Sequence, residues 1–142
     1  MPNPKSGKWR VVGSLVVLGG FGVEIPIRTR TENNNDEHWR VRQKRAKMQR
    51  ETVRQWLLVL QRLPGNCCYI PLPVTVTLIR VAPRQLDHID NLSSSLKHIR
   101  DSVADFYEVN DRTPLITWVY DQQRGRPHYY AVRLILEPRR EG

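Results

Sequence analysis

The chain has 142 residues, 39% of them hydrophobic and 26% charged, which suits one compact domain with a core and excludes a disordered tail or a bundle of membrane spans. Lys and Arg number 23 against 14 Asp and Glu, a net charge of +9 that favours a polyanionic partner, nucleic acid ahead of an anionic membrane surface. Cys67 and Cys68 are the two cysteines and are adjacent, so no zinc site or disulfide framework can be built from them; this excludes a zinc enzyme and a secreted mini-protein, and points to a reducing, cytoplasmic compartment.

The first ten residues are basic and Pro-rich and read as a loose tail. Val11 to Val23 is apolar apart from Ser14 but interrupted by Gly13, Gly19, Gly20 and Gly22. Lys5, Lys8 and Arg10 ahead of it give the outline of a signal peptide. The Gly breaks and the lack of a small-x-small site argue against that, and the run is too short to span a bilayer. Val16, Val17, Leu18, Val23, Ile25 and Ile27 instead suit two strand pieces around a Gly turn. Residues 1–22 are thus expected as an extension, partly flexible or strand, and residues 23–142 as a single domain.

Residues 31–36 form a turn cluster in which Asn35 or Asp36 is placed to cap a helix over about Glu37 to Leu63. Trp39, Ala46, Val53 and Leu60 recur every seven residues, with Trp56, Leu57 and Leu63 widening the apolar stripe toward the C-terminal end. The C-terminal half should therefore pack in the core while the N-terminal half projects charge, and Pro64-Gly65-Asn66 should stop the helix. Val74 to Val81 alternates as a central strand that Pro83 ends. A second helix is expected over about Asn91 to Tyr107, where Leu92, Leu96, Ile99, Val103 and Phe106 are spaced four, three, four and three. Strands over Leu115 to Tyr120 and Tyr129 to Leu136, joined as a hairpin carrying Arg124 and Arg126, complete the order β(β)αβαββ. The fold class is α/β (α+β): a single mixed sheet with two main helices. Trp39, Trp56 and Trp118 are assigned to the core, while Trp9 and Tyr129 are candidates for stacking on exposed bases.

Charge is unevenly spread. Residues 1–62 hold 13 basic and 5 acidic side chains, a net +8, and residues 63–142 a net +1. Arg40, Arg42, Lys44, Arg45, Lys47, Arg50 and Arg54 form a basic arm broken only by Glu51, a candidate surface for backbone phosphates. From Asp87 to Asp111 the sign reverses, with six acids against Lys97 and Arg100. Asp87 and Asp90 stand at a strand-to-helix junction, where sheets of this kind bind ligands, and Mg²⁺ needs only one or two carboxylates plus water and a substrate phosphate. Lys97 lies two turns on, Asp111 follows the helix, and His88 sits between the two aspartates as a lesser ligand candidate. His38 and His98 read as surface or phosphate neighbours. The plainer account of the same residues is a helix cap, an i,i+4 surface pair and a turn.

Leu86-Asp-His-Ile-Asp-Asn-Leu92, Lys97-His-Ile-Arg-Asp101 and Ala104-Asp-Phe-Tyr-Glu-Val-Asn-Asp111 together resemble the RusA-type Holliday-junction resolvases and their phage relatives, over roughly residues 74–136. Thr117-Trp-Val-Tyr120, Tyr130-Ala-Val-Arg133 and the run His38 to Arg50 are similar to the phage branch. The chain differs from the family pattern in having two residues between Asp87 and Asp90, six from Asn91 to Lys97, and Asn110 in place of an acid. The resemblance implies a RusA-like nuclease domain, a homodimer, in which Asp87, Asp90 and Asp111 hold Mg²⁺ (or Mn²⁺) and Lys97 assists. It would nick branched DNA in recombination, repair or phage DNA processing, in a bacterial cytoplasm if phage-encoded, without a membrane partner. The alternative is a non-catalytic basic DNA-binding protein on the same scaffold.

Overall fold

A computed structural model describes residues 20–31, 38–62, 70–87 and 89–139. The elements are β1 (Phe21–Ile25), α1 (Trp39–Gln61), β2 (Val74–Ala82), α2 (Ile89–Ser95), α3 (Lys97–Phe106), β3 (Ile116–Arg124) and β4 (Ala131–Pro138). They form a mixed α/β fold with one four-stranded sheet, ordered β1-β4-β2-β3. β2 and β3 are parallel, and β4 runs antiparallel to both β1 and β2. The expected strand segment over Val11 to Leu18, the Asn35/Asp36 cap, the helix stop at 64–66, Trp9, Cys67, Cys68 and His88 lie outside the described residues.

The alternation of each strand decides which side chains are buried. Val23 and Ile25, Val132, Leu134 and Leu136, Val74, Val76 and Leu78, and Ile116 point to one face and share a core with Val53 and Leu57 of α1, Leu92 of α2, Leu96, and Ile99 and Val103 of α3. Trp56, Phe106, Trp118 and Tyr120 pack at its rim. Truncating any of the fully buried leucines to alanine would cost about 2–5 kcal/mol, so this face is what holds the helices to the sheet.

Four expectations need correction. Trp39 is 52% exposed, not core: it is the first residue of α1, where the neighbouring positions are exposed too, and the ring stacks on His38 with the Arg40 guanidinium 5.3 Å away. The second helix is two helices, broken at Leu96. Ser93 Oγ donates to the Asp90 carbonyl (3.2 Å) and Ser95 Oγ to the Leu92 carbonyl (2.7 Å), and such bonds compete with the helical ladder. β3 and β4 are not a hairpin, because β4 passes over to lie between β1 and β2; Arg124 is the last residue of β3 and Arg126 sits on the crossing connection. Tyr129 is not an open stacking platform: its hydroxyl donates to Glu24, and Arg126 covers the ring at 4.9 Å.

Candidate functional site

The C-terminal ends of β1, β2 and β3 lie together, and the chain leaves β2 there through Pro83 to Asp87. Gln122 of β3 clamps this loop: its Oε1 accepts from the Leu86 N–H (2.8 Å) and its Nε2 donates to the Leu86 carbonyl (2.9 Å). Asp87 follows directly and is exposed; Asp90, in the first turn of α2, is exposed as well. Beside them Thr31 Oγ1 donates to Asn91 Oδ1 at 3.4 Å, so the segment after β1 runs along α2. The junction carrying the two aspartates is therefore tied to β3 on one side and to the β1 extension on the other.

Arg80 stands at the same end. It is the fourth residue in the alternation Val74, Val76, Leu78, Arg80, so the parity that buries three apolar side chains also turns a guanidinium inward. Its partner in register on β3 is Gln122, the loop clamp. Nη1 donates to the Arg84 carbonyl at 2.9 Å, and Nε is buried without a hydrogen-bond partner among the described residues. Burial pulls the Arg80 pKa below its usual value; Tyr130 opposes this and the neighbouring Arg28 reinforces it. Arg28 in turn lies over the Tyr130 ring at 4.3 Å. Sequence reading missed both arginines, and the signal that would have found Arg80 is its place on the core parity of a strand.

Asp111 is elsewhere. It precedes the N-terminal end of β3, whereas Asp87 and Asp90 follow the C-terminal end of β2, and the nine paired residues between span roughly 26 Å. Its side chain pairs with Arg100 (Nε to Oδ2, 3.2 Å), its carbonyl accepts from the Trp118 indole (2.8 Å), and Arg100 Nη1 donates to the Tyr120 hydroxyl (3.0 Å). Burial works against the Arg100 charge, but the Tyr120 hydrogen bond and the charges of Tyr120, Asp111 and Asp101 outweigh it, so its pKa is raised. A shallow polar cavity of about 370 Å³ lies here, lined by Asp111 with Asp101, Asp105 and Arg50. Lys97 is exposed at the first position of α3. Among the described residues no group of three His, Cys, Asp or Glu side chains is arranged to hold a metal ion.

The basic arm lies on α1, which packs against α3. Arg40, Arg42, Lys44 and Lys47 are exposed, and Arg45 is half-buried. His38 Nδ1 accepts from the Arg40 N–H (3.1 Å) at the helix start. Arg50 pairs with Asp101 (2.8 Å) and Arg54 with Glu51 (3.4 Å). Lys47, Arg50 and Arg54 line a groove of about 820 Å³ between α1 and α3, facing Asp105 and Glu108. Arg42, Lys44 and Lys47 thus have no carboxylate partner among the described residues, whereas Arg50 and Arg54 each have one.

No protein-family model matches the chain, and no curated protein matches it. No helix among the described residues is long and apolar enough to cross a membrane.

Proposed function

We propose that the protein is a divalent-metal-dependent endonuclease that nicks branched DNA in the cytoplasm, the activity implied by its resemblance to the RusA-type resolvases. The observation that carries this reading is the pair Asp87 and Asp90, both exposed, on a junction tied down by Gln122 and Thr31 at the arginine-bearing end of the sheet. Carboxylate oxygens are the donors a hard cation takes, and two satisfy Mg²⁺ when water and a phosphate complete the shell. Asp111 does not fit that set within one protomer, since it stands at the other end of the β2–β3 pair on Arg100. A cation held by Asp87 and Asp90 would supply Lewis acidity for phosphodiester hydrolysis. The residues of the chain then divide the work. Asp87 and Asp90 bind, Gln122 and Asn91 fix their backbone, and Arg40, Arg42 and Lys44 hold flanking phosphates without reading sequence. A homodimer belongs to the same proposal, because a junction offers two equivalent strands to cut and a two-fold partner offers a second Asp111.

The test is cleavage of a synthetic four-way junction by purified protein in Mg²⁺ or Mn²⁺. Asp87→Asn and Asp90→Asn should each abolish nicking while junction binding in EDTA persists. If Asp111 acts across a dimer, mixing Asp90→Asn with Asp111→Asn protein should restore part of the activity that each lacks alone. The Arg100–Asp111 pair favours a second reading, a DNA-binding protein that does not cut. Salt-sensitive junction binding with no nicking in either metal would establish that reading over the first.

A further inference from the structure

Among the described residues four arginines have a carboxylate partner: Arg50 has Asp101, Arg54 has Glu51, and the two part-buried ones, Arg100 and Arg133, have Asp111 and Glu24. Arg80 and Arg28 differ from the part-buried Arg100 and Arg133. Arg80 is only 8% exposed, yet among the described residues its guanidinium meets one carbonyl and no carboxylate, and its Nε–H is left over. Arg28 lies over the Tyr130 ring at 4.3 Å and its charge bears on Arg80, so a second cation stands near the first, and neither has a carboxylate partner among the described residues. A buried cation without a counter-charge is unfavourable, and a leftover buried donor adds to that cost. Both costs vanish when an anion with several acceptor oxygens enters, and the planar guanidinium fork suits phosphate. Arg80 is also one hydrogen-bonded register step from Gln122, which clamps the backbone next to Asp87.

We infer that Arg80 and Arg28 form a receptor for a phosphodiester group of a nucleic-acid backbone, set beside Asp87 at the C-terminal end of the sheet. The nuclease reading supplies the identity of the anion; the receptor itself stands on two guanidinium groups with no carboxylate partner among the described residues and on the leftover Arg80 Nε–H. It is separate from the α1 arm and holds the strand at the candidate acidic site rather than away from it.

Binding of a fluorescein-labelled four-way junction in EDTA, followed against salt concentration, tests this for wild type, Arg28→Gln and Arg80→Met. Each variant should bind about tenfold more weakly, and the slope of log affinity against log salt should fall by about one phosphate contact. Arg80→Met should melt no lower than wild type, because it removes an uncompensated buried charge; a merely structural arginine would give a lower Tm. Wild-type affinity and slope in both variants would overturn the receptor. Should Arg80→Met fail to fold, the exposed Arg28→Gln decides alone. If wild type binds no DNA, the nuclease reading fails, and the receptor is judged on inorganic phosphate. The ¹H–¹⁵N signal of Arg80 Nε should shift with phosphate and not with equal chloride, and no shift would overturn it.

Discussion

Arg100 and Asp111 form a part-buried ion pair, Nε to Oδ2 3.2 Å, that joins α3 to the turn before β3. Arg100 also donates to Tyr120 of β3, so one guanidinium spans helix, turn and sheet. Asp111→Asn should therefore lower stability by about 1 kcal/mol, or about 3 °C in Tm. Asp87 is exposed and has no comparable tie among the described residues, so Asp87→Asn should stay within about 0.5 kcal/mol of wild type. Thermal unfolding of the two variants beside their junction cleavage separates a structural acid from a catalytic one. An Asp111→Asn protein as stable as wild type would show that the pair contributes nothing to folding.

A second network sits on the sheet face opposite the helices. Glu24 is 3% exposed and accepts from the Tyr129 hydroxyl and from Arg133 Nε at 2.9 Å, while Arg133 Nη1 donates to Gln123 (2.8 Å). Burial first, then the hydrogen bond and the charge of Glu24, push the Tyr129 pKa up to about 12, with Arg126 and Arg133 opposing. In the unfolded chain the phenol titrates near its ordinary value of 10.0. The folded state thus holds this proton more tightly. The stabilisation is whole below about pH 10 and disappears as pH rises through about 12. Tm followed from neutral to strongly alkaline pH should fall more steeply for wild type than for Tyr129→Phe. Parallel curves would refute the assignment.

The end of α3 stores a correctable strain. Glu108 has φ 57°, a left-handed conformation, and the Val109 N–H returns to the Ala104 carbonyl at 3.1 Å, which is how a helix closes when glycine is available. The Glu108 side chain is exposed. Glu108→Gly should therefore stabilise the protein by about 1 kcal/mol, a rise in denaturant midpoint at unchanged m-value. A lower midpoint would mean that the Glu108 carboxylate contributes more at the α1–α3 groove than the backbone loses.

Much of the architecture was written in local patterns. Val53 and Leu57 marked the buried face of α1, and Val74, Val76 and Leu78 marked β2, because burial follows the period of each element. The same period misplaced Trp39, since a seven-residue repeat runs on into the first turns of α1, where residues 39–44 are all exposed. The break at Leu96 depends on where Ser93 and Ser95 send their hydroxyls, and periodicity is silent on that. Strand order is a long-range choice, so nothing near residues 131–138 announces that β4 inserts between β1 and β2. The junction bearing Asp87 and Asp90 was legible from chain order alone. Its separation from Asp111 was not, because it follows from β2 and β3 being parallel and in register from Val74 to Ala82.

The seven basic residues of α1 are not equivalent as phosphate ligands. Arg42 and Lys44 are exposed and have no carboxylate partner among the described residues, whereas Arg50 is engaged by Asp101 and Arg54 by Glu51. A cation already paired must give up its carboxylate before it meets DNA, which cancels much of the gain. Arg42→Gln and Lys44→Gln should each reduce the salt slope of junction binding by about one contact and weaken binding uniformly across sequences. Arg50→Gln should change the slope by less than half as much and lower Tm slightly, because Asp101 loses its partner. Arg50→Gln giving the largest slope change would put the DNA in the α1–α3 groove instead of along the exposed first half of the helix. The anion would then have displaced Asp101 from Arg50, and Asp101→Asn should tighten binding.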